Sequence, residues 1–152
     1  AGLMMHRLAS HGLAFSDAEG LDPFLMEMAE KSPDTGVRAN TAFGLQRRGV
    51  EKGVELYFAA TDEAFKNGDP AALQYLSGVA LMGDKALPLL RERLATYKDE
   101  QARLVLISVI QSKGDKGSIP ALEAITQDET APASLRKAAE GALKKLNKPS
   151  GQ

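Results

Sequence analysis

Apolar residues recur along the chain with the spacing of amphipathic helices. In the clearest segment, Leu135, Ala139, Ala142, Leu143 and Leu146 fall on one arc at about 100° per residue. No alternating stretch is long enough to predict a strand. The pattern predicts an all-α protein with four helices of similar length, at 37–48, 71–82, 102–113 and 135–146.

Each of these four helices is followed by a residue that ends helices easily. Gly49, Gly83 and Gly114 follow the first three and Asn147 follows the fourth, at spacings of 34, 31 and 33 residues. Glycine and asparagine enter the left-handed backbone conformation at low cost, so we expect that conformation at all four positions. A helix end that recurs about every 33 residues predicts a repeating unit.

A second set of helices completes each unit. Asp22-Pro23, Leu87-Pro88 and Ile119-Pro120 place proline in a first helical turn, where its missing amide proton costs no hydrogen bond. The prediction is one domain made of an irregular first helix, four helix pairs and a tail, at 1–19, 20–49, 50–83, 84–114, 115–147 and 148–152.

Two helices favour a stack over a free-standing bundle. The segment 102–113 is apolar on almost every side and must be covered by neighbours, whereas 135–146 has a broad lysine face. A covered inner helix and a solvated terminal helix are typical of a stacked array. We therefore expect a right-handed α–α superhelix (an α-solenoid) of antiparallel helix pairs.

Composition excludes several classes of protein. The 152 residues are 43% apolar and 26% charged, which is enough for a core. Nineteen basic and twenty acidic residues give a net charge of −1, which disfavours nucleic-acid binding. The absence of cysteine excludes disulfides, thiolate metal sites and cysteine nucleophiles. The longest apolar run, 104–110, is far shorter than the roughly 20 residues of a membrane helix.

No constellation of residues predicts catalysis. His6 and His11 are five residues apart and point about 140° apart on a helix, so they do not form a metal-binding pair. Ser134 and Lys137 match a Ser-x-x-Lys pattern, but the other motifs of that enzyme class are missing. We predict no catalytic, metal-binding or cofactor-binding residue and no cofactor, and we expect that the protein is not an enzyme.

An Asp followed by an apolar residue and Arg recurs near helix starts. The examples are Asp34 with Val37-Arg38, Asp99 with Ala102-Arg103 and, without the Asp, Leu135-Arg136. Together with the run 114–122, they resemble the HEAT-repeat family, in particular its short bacterial HEAT-like type. The resemblance implies an armadillo-like α-solenoid in which these Asp and Arg side chains interact between repeats. Ala72 interrupts the row of arginines that Arg38, Arg103 and Arg136 would form along the stack.

The resemblance varies along the chain. It is good over 69–147, fair over 20–68 and poor over 1–19. Residues 49–76 also resemble tetratricopeptide or Sel1-type repeats, and both alternatives imply an α-solenoid.

When the four helices at 37–48, 71–82, 102–113 and 135–146 are aligned on their end residues and their packing faces are set aside, one set of positions remains for the concave side of the stack. They are Asn40, Phe43, Arg47, Leu73, Gln74, Ser77, Leu81, Leu104, Val105, Ser108, Ser112, Lys137, Gly141 and Lys145. Small central residues with apolar flanks predict a shallow trough for a helix or an extended peptide. The alternative is that strong curvature or another segment covers these residues as ordinary core.

Three functional hypotheses follow. The first is a non-catalytic protein-interaction or scaffold module that binds a protein or peptide partner, with no nucleic acid and no membrane insertion. The second is a lyase-like activity resembling the HEAT-like bilin lyases. The third is an interaction domain cut from a larger regulatory or envelope protein, because the chain begins Ala1-Gly-Leu-Met-Met without an initiator methionine.

Two further expectations concern assembly and compartment. The apolar start around Leu3 predicts a weak dimer through the N-terminal end, because a terminal repeat ordinarily presents a polar outer face. The lack of cysteine is compatible with a bacterial cytoplasm, which we favour, and with a periplasm.

Overall fold

The computed structural model describes residues 2–149. Over this range the protein is all-helical, with 77% of its residues in helices and no strand, so the predicted all-α class is confirmed. The chain divides into two compact units, Ala1–Tyr75 and Leu76–Gln152, and each is described by itself. The single domain of four helix pairs stays a prediction, and residues 150–152 of its tail lie outside the described residues.

Unit 1 is built around its third helix. Helix α3 packs against α1, α2 and α4, and its buried residues include Val37 and Leu45. The side chains of Leu25 and Phe58 are also fully buried, so the core of unit 1 lies around α3. The helices of this unit are α1 Gly2–Ala14, α2 Asp22–Lys31, α3 Thr35–Arg47 and α4 Lys52–Lys66, and α5 Ala72–Gly78 begins in it.

Unit 2 packs two helix pairs against each other. Helix α7 contacts α6 and α9, and α8 contacts α9. The elements of this unit are the end of α5, α6 Leu87–Thr96, α7 Glu100–Lys113, α8 Ile119–Gln127, α9 Ala133–Leu146 and single 3₁₀ turns at Val79–Leu81, Asp84–Ala86 and Lys116–Ser118. Its fully buried side chains include Leu76, Leu90, Leu94, Leu106, Ile107, Ile110, Leu122 and Leu135.

The polar turns start helices as their sequences predict. The Asp34 carboxylate accepts a hydrogen bond from the Val37 amide at 2.8 Å, and Asp99 accepts one from Ala102 at 2.7 Å. Each bond satisfies one of the amides that have no partner inside the helix. Aspartate at these two positions therefore fixes where α3 and α7 begin.

The predicted left-handed helix ends occur at only two of the four positions. Gly49 and Gly114 have φ of 85° and 65°. The prediction is wrong for Gly83, where the chain is extended because a 3₁₀ turn begins directly afterwards. It is also wrong for Asn147, which stays right-handed because its amide still donates to the carbonyl of Leu143 at 2.9 Å.

Candidate functional site

An open groove of about 260 Å³ lies in unit 2 between α7 and the end of α5. We call it the serine groove, and it is lined by Ser77, Ala80, Val105, Ser108, Val109 and Ser112. Four of these residues belong to α7 at intervals of three, one and three, so they share one face of that helix. Three of the six, Ser77, Ser108 and Ser112, belong to the concave surface that the repeat pattern predicts.

Small side chains create this groove. Serine, alanine and valine leave space between the two helix faces that leucine or phenylalanine would fill. Ser108 and Ser112 are exposed, and neither hydroxyl takes part in a hydrogen bond within residues 2–149. The groove therefore combines apolar walls with hydroxyl groups that can donate or accept a hydrogen bond.

Leu81 is an exposed residue of the 3₁₀ turn that contributes Ala80 to the groove. Leu81 follows Ala80 directly and is 74% exposed, the largest exposed fraction among the large apolar residues of the described chain. On α7, Leu104 precedes Val105 and is half-buried. An exposed leucine on an element that also lines a groove offers an anchor point for an apolar side chain of a partner.

The helix end beside Leu81 departs from the prediction. The sequence predicts one helix over 71–82, but α5 ends at Gly78 and the chain continues as the 3₁₀ turn Val79–Leu81. Glycine followed by β-branched valine weakens an α-helix, which favours the tighter turn. The Lys113 ammonium donates to the carbonyl of Met82, which holds this turn against the end of α7.

Three predicted site residues of unit 1 contact α1. Asn40 donates from its side-chain amide to the carbonyl of Arg7 and to the Ser10 hydroxyl, both at 3.0 Å. Arg47 donates to the carbonyl of Ala14 at 3.1 Å. Phe43 packs against Phe15, with 5.7 Å between ring centroids. These groups hold α1 in place. The repeat pattern carries no signal for this contact, because α1 lies outside the repeating helices.

The remaining predicted residues are exposed but do not line the groove. Leu73 and Gln74 lie on the part of α5 that belongs to unit 1. Lys137, Gly141 and Lys145 are four residues apart on α9 and share one exposed face. As a binding surface, the full set of predicted positions stays a prediction.

A charge cluster in unit 1 fixes the start of α3. The Arg7 guanidinium donates to Asp34 at 2.8–3.1 Å and to Asp69 at 2.8 Å. Asp69 also accepts from the Thr35 hydroxyl at 2.9 Å and from the Ala71 amide at 2.9 Å. One arginine therefore joins the N-terminal ends of two helices to α1.

The electrostatics of this cluster follow from its hydrogen bonds. Burial alone raises the pKa of Asp34, but the bonds from Arg7 and Val37 outweigh it and lower that pKa overall. The pKa of Asp69 is lowered in the same way, by the Ala71 amide and Arg7 against burial. The hydrogen bond to Asp34 raises the pKa of Arg7 further above its ordinary value.

A second buried carboxylate organises the turn before α8. Asp115 accepts two hydrogen bonds from Arg91, at 2.8 and 2.5 Å, and one from the Ser118 hydroxyl at 2.5 Å. The bond from Arg91 lowers the pKa of Asp115 despite its burial. Gly117 lets Arg91 lie flat against the turn, since a Cβ there would sit 2.2 Å from the guanidinium.

One arginine of the predicted HEAT-like repeat, Arg38, has a glutamate rather than an aspartate as its ion-pair partner. Arg38 forms an ion pair with Glu63, while Asp34 is held by Arg7. The Nε atoms of Arg38, Arg103 and Arg136 are all buried and have no hydrogen-bond partner within the described residues. The three positions therefore share a buried Nε. Arg103 also has an aspartate nearby, since its charge adds to the hydrogen bonds from Thr130 in lowering the pKa of Asp128.

Ser134 and His11, which the sequence offers as candidate chemical groups, both have partners in the structure. The Ser134 hydroxyl donates to Glu100, so it lies at the start of α9 with a carboxylate partner. His11 packs edge-on against Phe15 at 5.1 Å. Within residues 2–149 no group of three acidic or histidine side chains could hold a metal ion, and no helix has the length and apolar character needed to span a bilayer.

The chain was compared with family models, with curated proteins and with solved structures. No family model, no curated protein and no solved structure matches it.

Proposed function

We propose that this protein is a non-catalytic interaction module of HEAT-like α-solenoid type, and that its serine groove binds a short helical segment of a partner protein. The observation that carries the proposal is the groove itself, an open cavity of about 260 Å³ whose lining residue Ala80 is followed in the chain by the exposed Leu81. Grooves of this kind accept one face of an amphipathic helix, with apolar anchors at intervals of three and four residues.

The charge of unit 2 indicates what flanks the apolar face of that partner. Residues 76–152 contain twelve basic and nine acidic side chains, whereas residues 1–75 contain seven basic and eleven acidic ones. Lys113, one turn beyond the groove residue Val109 on α7, is among the basic groups. An apolar helix with acidic flanks therefore complements this unit, and electrostatic attraction would speed its association.

The repeat supports the solenoid part of the proposal. Helices α3, α7 and α9 carry an apolar residue followed by arginine in their first turns, and α3 and α7 are both capped by aspartate. Repeats of this kind cannot bury their apolar faces alone and so stack on one another, which leaves extended surfaces for partners.

The test starts from a displayed library of acidic amphipathic helical peptides, selected on the full chain. The dissociation constant of a selected peptide is measured for the wild type, for Leu81→Glu and for Ser108→Tyr, which fills the groove. The matched control is Ala95→Glu, which places the same charge on an exposed position of α6. We expect a loss of affinity of at least about tenfold for the two groove variants and less than about twofold for the control.

Amide chemical shifts of the full chain show where the peptide binds. Changes centred on Ser77, Ser108 and Ser112 would support the groove. Changes confined to other surfaces, or equal affinity of Leu81→Glu and the wild type, would contradict the proposal. A short oligonucleotide that competes with the peptide at moderate salt would also contradict it and favour the basic face of α9.

A further inference from the structure

Exposed apolar side chains are concentrated on the first helix of unit 1. Met4, Leu8 and Phe15 are 70%, 62% and 50% exposed, and Met5 beside them is 65% exposed. Of the eight large apolar residues that are exposed in residues 2–149, five belong to α1 or the turn directly after it. We call Met4, Leu8, His11 and Phe15 the α1 stripe.

The spacing of the α1 stripe is that of a helix-pairing seam. Its four residues follow one another at intervals of four, three and four, which keeps them on one face over more than three turns. Gly12 borders the seam, and a Cβ there would meet nothing within 4 Å, so a second helix could approach closely. This periodicity suits another helix lying along α1.

Helix α1 cannot rotate to bury the stripe within its own unit. Arg7 ties it to Asp34 and Asp69, and the Cα of Ala14 lies 2.8 Å from where a Cβ on Gly44 would be. At the other end, Arg47 lies over the Phe15 ring, with its guanidinium carbon 5.9 Å from the ring centroid. The contacts with α3 thus fix which face of α1 points outward.

The charge of the stripe favours a second copy as the occupant. Between residues 2 and 16 the only Asp, Glu, Lys or Arg is Arg7, and its guanidinium is bound by Asp34 and Asp69. The cation beside the stripe, Arg47 over the Phe15 ring, is already paired with Asp17 at 2.6 Å, so two such faces meet without net repulsion. Side chains of this size and exposure present on the order of 100 Å² each, so the four stripe residues of two copies would bury roughly 800 Å² in total, the size of a weak, transient interface.

We propose that the protein forms a two-fold symmetric dimer in which the α1 stripe of one copy packs along the α1 stripe of a second copy. The inference depends on unit 1 alone and does not rest on the serine groove. Because a two-fold interface contains each residue twice, one substitution in the stripe changes two contacts.

The experiment is sedimentation velocity of the full chain over a concentration series from about 5 to 500 µM, the range expected of a small interface. We expect the weight-average mass to rise toward twice that of the monomer. Leu8→Glu should weaken the dimer by at least about tenfold, since two charges are placed in an apolar seam. Ala9→Glu, on an exposed position of the same helix but outside the stripe, should change it by less than about twofold.

A cross-linking experiment tests the geometry independently of the charge variants. The protein has no cysteine, so Leu8→Cys introduces a single thiol. A short bismaleimide should link two copies of Leu8→Cys and leave Ala9→Cys largely unlinked. A monomer at every concentration, an equal effect of Leu8→Glu and Ala9→Glu, or binding of the stripe to phosphatidylcholine vesicles by a chain that stays monomeric would each overturn the proposal.

Discussion

The Arg7 cluster yields the sharpest prediction about stability. Arg7→Met keeps the apolar stem but removes the charge that lies between Asp34 and Asp69, whose side chains are only 10% and 8% exposed. Removing one partner of a buried pair costs about 3–5 kcal/mol, because an uncompensated charge is left behind. Since Arg7 itself is 29% exposed, solvent screens part of this loss, and we expect about 2–3 kcal/mol at pH 7.

The sign of the pH dependence provides the decisive measurement. In the wild type the pKa values of Asp34 and Asp69 are lowered, so their contribution is complete above the ordinary carboxyl pKa of about 3.9 and is lost as the pH falls through the folded-state values. In Arg7→Met the two carboxylates have lost their cation. Burial and mutual repulsion then raise their pKa values, so acidification relieves the penalty.

The assay is urea unfolding of the full chain, followed by far-UV circular dichroism at pH 7 and pH 4. The difference in unfolding free energy between wild type and Arg7→Met should be larger at pH 7 than at pH 4. Lys31→Met is the control, because it removes an exposed pair with Glu27 at 3.7 Å and should cost less than about 0.5 kcal/mol. Equal losses for Arg7→Met and Lys31→Met, or a loss that grows on acidification, would refute this reasoning.

Three further variants test other parts of the structure by the same unfolding assay. Gly53→Ala should destabilise the protein by about 1–3 kcal/mol, because its Cβ would lie 2.6–2.7 Å from backbone atoms of α3. Gly141→Ala, whose Cβ would meet open space, should stabilise α9 by about 0.5–1 kcal/mol. Equal effects of the two variants would contradict the close approach of Gly53 to α3. Asp115→Asn should lower stability at neutral pH by about 1–2 kcal/mol, with the difference from wild type shrinking below about pH 4, because the lowered pKa of Asp115 stabilises the fold only while the carboxylate is ionised; a constant difference down to pH 3 would argue against the Arg91 pair. Leu106→Ala should lower the free energy of unfolding by about 2–5 kcal/mol and Leu81→Ala by less than about 0.5 kcal/mol, since the first side chain is fully buried and the second is exposed. A large loss of stability for Leu81→Ala would mean that Leu81 is part of the core.

The helices that pack inside each unit could be predicted from sequence because their signals are local. The predicted segments 102–113 and 135–146 begin two residues after α7 and α9 do and end at the same residues. Asp99 shows why, since its carboxylate accepts a hydrogen bond from an amide only three residues away. The residue that caps a helix and the periodic apolar residues along it both lie within one short stretch of chain, so the sequence alone reveals them.

The attachment of α1 could not be predicted in this way. Arg7 finds its partners 27 and 62 residues away, and no local pattern specifies such a pairing. A repeat pattern also implies the same environment in every repeat. It therefore predicts Asn40 and Arg47 on an open surface, although both donate hydrogen bonds to α1. Ser77 and Ser108 lie at corresponding positions of two successive predicted helices, and Ser112 lies one turn after Ser108, so a repeat pattern can bring these three groove residues together.

The reach of Arg7 also constrains how the molecule emerges from the ribosome. The Arg7 guanidinium has both of its carboxylate partners only when Asp69 is available, 62 residues after Arg7 has been synthesised. At roughly 5–20 residues per second this takes several seconds. Until then Arg7 can pair only with Asp34, so the link from α1 to the turn before α5 is the last of its ion pairs to form.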